Sequence, residues 1–309
     1  MKNLIFGLLL LTYSVATYAL PPESLLKMKG GVFSHFTSHD LTQKNDLIEK
    51  VIITIHGSER NAHTYYNSIE TLTRRRGELE KTIIVSPHYK EIQDSKTSSE
   101  FYFDPEGWLS GDEALNRKEV TSFEILDHMI KLLGDKENFP NLKEIVMTGH
   151  SAGGQLIQRY SVGSVLDKTY PELQFRYIVA NPGSYLYLNR ARPFVGPKRC
   201  AFNDYKFGLD KRNAYMSQRP VQEMISEYLK KDVIYFLGEA DIRSDDIDQS
   251  CPAVYQGHFR LERGEAYYKQ LTETYPGHAH QIFTVPAVGH TQYGMYTSEM
   301  GTKILFQKL

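Results

Sequence analysis

Short runs of apolar, β-branched residues alternate along the chain with longer segments in which apolar residues recur at helical spacing. The short runs predict strands at 51–57, 82–88, 144–149, 177–182, 232–238 and 281–286. Each is nearly all apolar in its middle, which is typical of a strand that is covered on both faces. The helical patterns lie at 64–76, 117–133, 153–168, 221–230, 262–274 and 297–307. This alternation predicts an α/β fold with a mostly parallel central sheet flanked by helices.

Two segments, at about residues 89–116 and 183–220, interrupt this alternation. Both are rich in aromatic residues and in proline or glycine, and both are longer than an ordinary connection. Because loops at the carboxyl ends of parallel strands often carry the ligand site, we expect cap-like insertions that wall a cleft. Surface insertions without function are the alternative. The aromatic residues that could line a pocket there, or belong to the core, are Tyr102, Phe103, Trp108, Tyr185 and Tyr187.

The amino terminus has the pattern of a secretory signal peptide. Residues 1–19 carry one lysine, then an apolar run, and they end in the small residue Ala19 with Thr17 two positions before it. An uncleaved membrane anchor is the alternative, because the apolar run approaches the length that spans a bilayer. We expect cleavage, a secreted or periplasmic protein without stable membrane insertion, and a single domain over residues 20–309.

The net charge limits the kinds of binding partner that are expected. The formal net charge of −1 provides no basic surface for nucleic acid or an anionic membrane, and favours a small neutral or mixed-charge ligand.

Cys200 and Cys251 are the only cysteines of the sequence. In an exported protein an even number of cysteines predicts a disulfide, and two buried free thiols are the alternative. The sequence does not indicate an oligomeric state.

The residues Gly149, His150, Ser151, Ala152 and Gly153 match the pattern G-x-S-x-G between a predicted strand and a predicted helix. A sharp turn of this kind holds the serine in strained backbone angles, and the two glycines avoid clashes with neighbouring elements. The turn exposes the serine hydroxyl beside the backbone N–H groups of a helix start. The pattern predicts a nucleophilic serine.

A serine hydroxyl needs a histidine to take its proton and a carboxylate to orient that histidine. On this type of fold the expected chain order is serine, acid, histidine. Asp241 follows the predicted strand 232–238 and His290 follows the last predicted strand, so we expect both beside Ser151. The other acids in the same segment as Asp241 are Glu239, Asp245, Asp246 and Asp248.

Three other histidines are not expected to take part in catalysis. His150 is adjacent to the serine but faces away from it in such a turn, so we expect it to pack. His278 and His280 lack carboxylate or cysteine partners at the spacing of metal ligands, and a surface loop is expected there. The sequence therefore predicts no metal and no organic cofactor.

The first predicted strand runs into "HGSERNA". A His-Gly turn at this place would direct backbone N–H groups toward a developing oxyanion, and each such donor is worth about 3 kcal/mol of barrier. We assign the oxyanion hole to the backbone N–H groups of Ser58 and Ala152. An ordinary tight turn is the alternative.

These motifs resemble those of the α/β-hydrolase superfamily: "IHGSERNA", "GHSAGGQ", "LGEAD" and "VGH" occur in that order over about 240 residues. The chain looks most similar to secreted esterases and polyester-depolymerase-like hydrolases. The resemblance implies Ser151 as nucleophile, Asp241 as acid and His290 as base. One position departs from the pattern, since Thr291 follows the histidine where that branch often has an acidic residue.

Together the residues and the resemblance predict hydrolysis of a carboxylic ester through an acyl-enzyme. The substrate is expected to be a small-molecule or polymer ester, and the absence of a long apolar lid segment favours short-chain or soluble esters. Two alternatives remain: a serine peptidase with the same triad, and a catalytically silent binding protein on the same fold.

Overall fold

The computed structural model describes residues 22–197 and 199–307. The predicted signal peptide, residues 1–19, lies outside the described residues. The strands are β1 (Ser24–Met28), β2 (Gly31–Thr37), β3 (Lys50–Ile55), β4 (Thr82–Pro87), β5 (Glu113–Ala114), β6 (Arg117–Thr121), β7 (Glu144–His150), β8 (Gln174–Ala180), β9 (Asp232–Gly238) and β10 (Gln281–Val285). The α-helices are α1 (Ala62–Arg75), α2 (Ser122–Leu133), α3 (Ala152–Gly163), α4 (Leu166–Thr169), α5 (Ala214–Ser217), α6 (Val221–Tyr228), α7 (Cys251–Val254), α8 (Arg260–Thr274), α9 (Gln292–Thr297) and α10 (Glu299–Phe306).

Eight strands form one mixed sheet in the order β1-β2-β4-β3-β7-β8-β9-β10. Strands β3, β4 and β7 to β10 run parallel, and β1 and β2 are antiparallel additions at one edge. The two faces of the sheet pack against two buried apolar clusters. The fold class predicted from the sequence, a mostly parallel sheet with flanking helices, is confirmed, and all six predicted strands are present.

Strands β1 and β2 were not predicted, and the reason is visible in their composition. β2 contains Ser34 and His35, which are buried polar residues, so the strand lacks a continuous apolar run. β1 is a short edge strand with the exposed residues Leu25 and Lys27. Polar content and an exposed edge remove the pattern by which the central strands are recognised.

Three predicted helices differ from the structure. The pattern at 153–168 is divided, since α3 ends at Gly163 and α4 begins at Leu166. The pattern at 117–133 combines strand β6 with helix α2, because the helix begins only after Thr121. The side chain of Thr121 accepts from the Glu124 N–H, and the Glu124 carboxylate accepts from the Thr121 N–H, a reciprocal cap that fixes this start. The pattern at 297–307 is divided at Ser298, whose side chain caps α10.

The predicted surface loop at His278 and His280 is wrong for His280, which is buried. Its ring lies 2.7 Å from the Tyr228 carbonyl oxygen and 3.1 Å from the Tyr235 hydroxyl, so both of its nitrogens have partners. Burial lowers the pKa of His280 to about 4. The residue is a neutral part of the core beneath β9.

The predicted disulfide between Cys200 and Cys251 is confirmed. It joins the second insertion to the first residue of α7, across 51 positions of sequence. The bridge therefore ties an irregular segment to the loop that follows β9.

Within residues 22–197 and 199–307, no helix has the length and apolar character that crossing a bilayer requires. The same ranges contain no group of three or more His, Cys, Asp or Glu side chains placed to hold a metal ion.

Removing the disulfide should lower stability. The paired substitutions Cys200→Ser and Cys251→Ser are expected to reduce the free energy of unfolding by about 4 kcal/mol, because the bridge restricts a loop of 51 residues in the unfolded chain. Urea unfolding followed by circular dichroism measures this difference. A reducing agent should destabilise the wild-type protein and leave the double variant unchanged; equal stability of both proteins under oxidising conditions would contradict the expectation.

Candidate active site

The turn between β7 and α3 carries Ser151 in an unusual backbone conformation, with φ 60° and ψ −121°. Positive φ is costly for a residue with a side chain, and surrounding contacts must maintain it. One such contact is the Ser151 N–H, which donates to the Ala180 oxygen at the end of β8, 3.0 Å away. The Gln155 N–H donates to the Ser151 oxygen at 3.1 Å, so the serine is also joined to the first turn of α3.

The two glycines of the motif allow this turn because backbone atoms crowd both of them. A Cβ atom at Gly149 would lie 2.3 Å from the Gly153 oxygen, and a Cβ atom at Gly153 would lie 2.3 Å from the Ile55 oxygen. Neither distance is possible, and both obstacles are main-chain atoms that cannot rotate away. A side chain at either position would push α3 away from β3 and β7.

Ser151, His290 and Asp241 lie within hydrogen-bond distance in series. His290 Nε2 is 2.9 Å from Ser151 Oγ, and His290 Nδ1 is 2.7 Å from Asp241 Oδ2. A proton on Nδ1 that is donated to the carboxylate leaves Nε2 free to accept the serine proton. The three residues come from the ends of β7, β9 and β10, whose carboxyl ends share one edge of the sheet.

Among the acids that the sequence left open, Asp241 alone contacts His290 within the described part of the chain. Its side chain is fully buried, whereas the others are exposed. Those exposed acids are Glu239, Asp245, Asp246 and Asp248.

Arg260, the first residue of α8, lies beside the second oxygen of Asp241. Its Nη1 is 3.7 Å from Asp241 Oδ1, an oxygen without a hydrogen bond in the described structure. The guanidinium is itself buried, and Nη2 donates to the Asp246 carbonyl oxygen. Arg260 could not be identified from the sequence, because its approach to the acid depends on where α8 packs.

The proposed oxyanion donor at Ser58 is oriented by the preceding peptide. Tyr89 N–H donates to His56 Nε2 at 3.0 Å, so the neutral ring carries its proton on Nδ1 and donates it to the Gly57 oxygen at 2.8 Å. The Arg60 N–H donates to the same oxygen at 3.1 Å. Since N–H and C=O point to opposite sides of a trans peptide, the Ser58 N–H faces away from these donors.

Burial lowers the pKa of His56 to about 3, so the ring stays neutral and keeps this hydrogen-bonding pattern. The sequence predicted the His-Gly turn before the oxyanion donor but assigned no role to the ring of His56. The second assigned donor, Ala152, is the first residue of α3, and its N–H therefore has no partner within the helix. Ser58, Ser151 and Ala152 line the same cleft.

His150 is buried, as expected, and its ring packs against the ring of His290 with 4.5 Å between centroids. Burial, with the nearby charges of His290 and Arg260, places the pKa of His150 well below the usual value. A neutral ring therefore supports the flank of His290.

The cleft beside Ser151 has a volume of about 750 Å³. The first predicted insertion contributes some of residues 91–109 to its lining, and the second contributes residues 206–207. The loop after β9 contributes some of residues 245–252. Both insertions thus lie along the cleft, and the expectation that they form a ligand site stays a prediction.

The aromatic lining suggested by the sequence is wrong. Trp108 is buried, stacked on Tyr89 with 5.4 Å between ring centroids, and Tyr185 is buried and stacked on Tyr267 at 4.6 Å. Tyr102 is half-buried and does not line the cleft. Large rings bury more area against each other in the core than a wet cleft allows, so these side chains support the walls from behind.

Acidic side chains outnumber basic ones along the cleft. The carboxylates are Glu91, Glu106, Asp245, Asp246 and Asp248, and the cations are Lys206 and Arg260. Four of the five have a cationic partner: Glu106 pairs with Lys206, Glu91 lies 2.7 Å from Arg60, Asp245 lies 2.5 Å from Arg243, and Asp246 lies 3.8 Å from Arg260. Asp248, in the loop after β9, is the one carboxylate of this lining without an ion pair in the described part of the chain.

No protein-family model matches the chain, and no curated protein matches its sequence. Solved structures share its fold. Poly(aspartic acid) hydrolase-1 from Sphingomonas sp. KT-1 is similar with a TM-score of 0.63 and 21% identity, over 94% of this chain and 100% of that chain. LpqC, the poly(3-hydroxybutyrate) depolymerase from Bordetella parapertussis, is similar with a TM-score of 0.64 and 18% identity, over 90% of this chain and 84% of that chain. An IroE-like serine hydrolase from Shewanella oneidensis is similar with a TM-score of 0.50 and 10% identity, over 92% of this chain and 79% of that chain.

These similarities show that the chain has the α/β-hydrolase fold, as its motifs predict.

The contact between Arg260 and Asp241 predicts an effect on the reactivity of Ser151. Arg260→Met removes the cation that lies beside the buried carboxylate of Asp241, the group that holds His290 Nδ1. We expect a fluorophosphonate probe to label Ser151 about tenfold more slowly in this variant, while Arg260→Lys retains most of the rate. The exposed Arg243, which pairs with Asp245, offers the control substitution Arg243→Met. Equal labelling of Arg260→Met and wild type would contradict a positioning role.

Proposed function

We propose that this chain is an exported serine hydrolase that cleaves carboxylic esters through an acyl-enzyme. The observation that carries the proposal is the series of contacts from Ser151 Oγ through His290 to the buried carboxylate of Asp241. Such a series activates a serine hydroxyl, and the cleft beside it is open to a substrate.

In the proposed mechanism, His290 Nε2 takes the hydroxyl proton as Ser151 Oγ attacks the ester carbonyl carbon. Asp241 stabilises the imidazolium that forms. The N–H groups of Ser58 and Ala152 donate to the negative oxygen of the tetrahedral intermediate. His290 then protonates the departing alkoxide, and water attacks the acyl-enzyme by the same steps in reverse. The chemistry requires no metal and no organic cofactor.

The cleft favours a neutral ester over a polyanion. Its wall presents five carboxylates and two cations, which gives a substrate with many carboxylates little compensating charge, and its volume of about 750 Å³ accommodates a small ester or a short section of a polymer. Two proteins of the same fold are named for polymer substrates, poly(aspartic acid) and poly(3-hydroxybutyrate). Of these two polymers, the uncharged polyester is the better match to this cleft.

Export is part of the proposal. The signal-like segment at residues 1–19 directs the chain out of the cytoplasm, and the disulfide between Cys200 and Cys251 suits an oxidising compartment.

The direct test uses the serine itself. Ser151→Ala should abolish ester hydrolysis and fluorophosphonate labelling without lowering thermal stability, because the substitution removes only one hydroxyl. Mass spectrometry of the labelled wild-type protein should locate the probe on the peptide containing "GHSAGGQ". Ester hydrolysis by Ser151→Ala at the wild-type rate would exclude the mechanism.

The same assays separate the proposal from its two alternatives. A panel that pairs each ester with the matching amide distinguishes an esterase from a peptidase, because only a peptidase cleaves the amide at a comparable rate. A binding protein on this fold would show neither labelling nor turnover while remaining folded.

The rate should fall as the solution is acidified. A protonated His290 cannot accept the serine proton, so kcat/KM for an uncharged ester is expected to decrease between pH 8 and pH 5. The neighbouring His56 and His150 do not add a second step in this range, because burial lowers the pKa of His56 to about 3 and that of His150 well below its usual value. A flat profile across this range would argue against a histidine base.

A further inference from the structure

Arg159 lies two turns beyond the serine on α3 and is buried without contact to solvent. Its guanidinium donates to four neutral acceptors. These are the Leu109 carbonyl oxygen at 3.0 Å, the Lys206 carbonyl oxygen at 3.3 Å, Gln155 Oε1 at 2.9 Å and Ser184 Oγ at 3.0 Å. One side chain thus joins both insertions and the nucleophile helix behind the cleft.

This contact determines which way the Gln155 amide points. A guanidinium only donates hydrogen bonds, so the amide atom that faces Arg159 must be the oxygen. The Ser184 hydroxyl donates to the same oxygen at 2.7 Å, which holds it from a second side. The amide nitrogen therefore points away from Arg159.

The Gln155 nitrogen is directed into the cleft beside the serine. Gln155 lies in the first turn of α3, which begins directly after Ser151, and its N–H donates to the Ser151 oxygen at 3.1 Å. Both residues line the cleft, and Gln155 Nε2 donates to no acceptor among the described residues. The donated bonds from Arg159 and Ser184 also polarise the amide and strengthen its N–H groups as donors.

Gly183, which lines the same cleft, leaves the approach to this nitrogen open. A Cβ atom at Gly183 would lie 3.3 Å from Gln155 Nε2, a tighter contact than such atoms usually make. Its φ is not in the positive range that favours glycine, so an alanine is compatible with the backbone there. The main consequence of an alanine would be displacement of the Gln155 amide.

We propose that Gln155 selects, among esters, those that carry an additional acceptor oxygen near the scissile bond. The amide would donate to a neutral hydroxyl, ether or second carbonyl oxygen of the substrate. A carboxylate also accepts hydrogen bonds, but the acidic side chains along the cleft oppose it. The inference rests on the proposed ester hydrolysis and names the residue that sets its substrate preference.

The test compares three butyl-sized esters by titration of the released acid: butyl butyrate, butyl 3-hydroxybutyrate and 2-methoxyethyl butyrate. The first has no additional oxygen, the second adds one to the acyl group, and the third adds one to the alcohol. We expect the wild-type protein to favour at least one oxygen-bearing ester over butyl butyrate by about tenfold in kcat/KM, the size of effect that one hydrogen bond gives.

Three substitutions test whether Gln155 sets this preference. Gln155→Leu removes the donor, and the preference should fall to about unity. Gln155→Glu keeps an oxygen for Arg159 but presents a second acceptor to the substrate, so the preference should fall at least as far. Gly183→Ala should lower it partway. The exposed Gln43, which lies far from the cleft at the opposite ends of the strands, provides the control Gln43→Leu; circular dichroism establishes that each variant is folded.

The outcomes separate this inference from the proposed function. A wild-type preference that persists in folded Gln155→Leu and Gln155→Glu would overturn the role of Gln155 and leave ester hydrolysis intact. Equal wild-type rates for all three esters would do the same. If the wild-type protein hydrolysed no ester, both the proposed function and this inference would fall.

Discussion

The close approach of three backbone segments at Gly149, Ser151 and Gly153 controls the geometry of the whole site. Strand β7, the start of helix α3 and the end of strand β3 come so near that no side chain fits at either glycine. This contact maintains the positive φ of Ser151 and brings the serine within reach of the β3 loop. There, a Cβ atom added to Gly57 would lie 3.6 Å from Ser151 Cβ. The nucleophile and the Ser58 donor are therefore positioned by the same packing.

Buried arginines hold the irregular segments that complete the cleft. Arg159 binds carbonyl oxygens from both insertions, and Arg263 donates to the carbonyl oxygens of Gly183, Asp248 and Gly257 at 2.6 to 2.9 Å. Loops of this length lack the hydrogen bonds of helices and strands, and their buried carbonyl groups need donors. A guanidinium offers five N–H donors in one plane, so a single residue can satisfy several loop carbonyls at once. The walls are thereby held without regular secondary structure.

Positive and negative side chains lie on different sides of the candidate site. Cations lie behind and beside the reacting groups, at Arg159 and Arg260, whereas exposed carboxylates of the loop after β9 face the open side. Arg260 lies 3.7 Å from the carboxylate of Asp241, and the exposed acids line the cleft that a substrate would enter. Proteins that share this fold act on different polymers according to their names, so such local features, and not the fold, must distinguish them.

The sequence by itself determined the central sheet and the identity of the proposed triad. Strands buried on both faces must be apolar throughout, and the carboxyl ends of parallel strands meet at one edge. Chain order and position after a strand therefore predicted that Ser151, His290 and an acid of the segment containing Asp241 would meet. The tertiary structure decided which side chains face the cleft. Trp108 and Tyr185 turn into the core, while the roles proposed for Gln155 and Arg260 depend on how helices α3 and α8 pack against the loops around the cleft. The physical reason is that burial and hydrogen bonding depend on the residues that surround a side chain, and local pattern does not specify those neighbours.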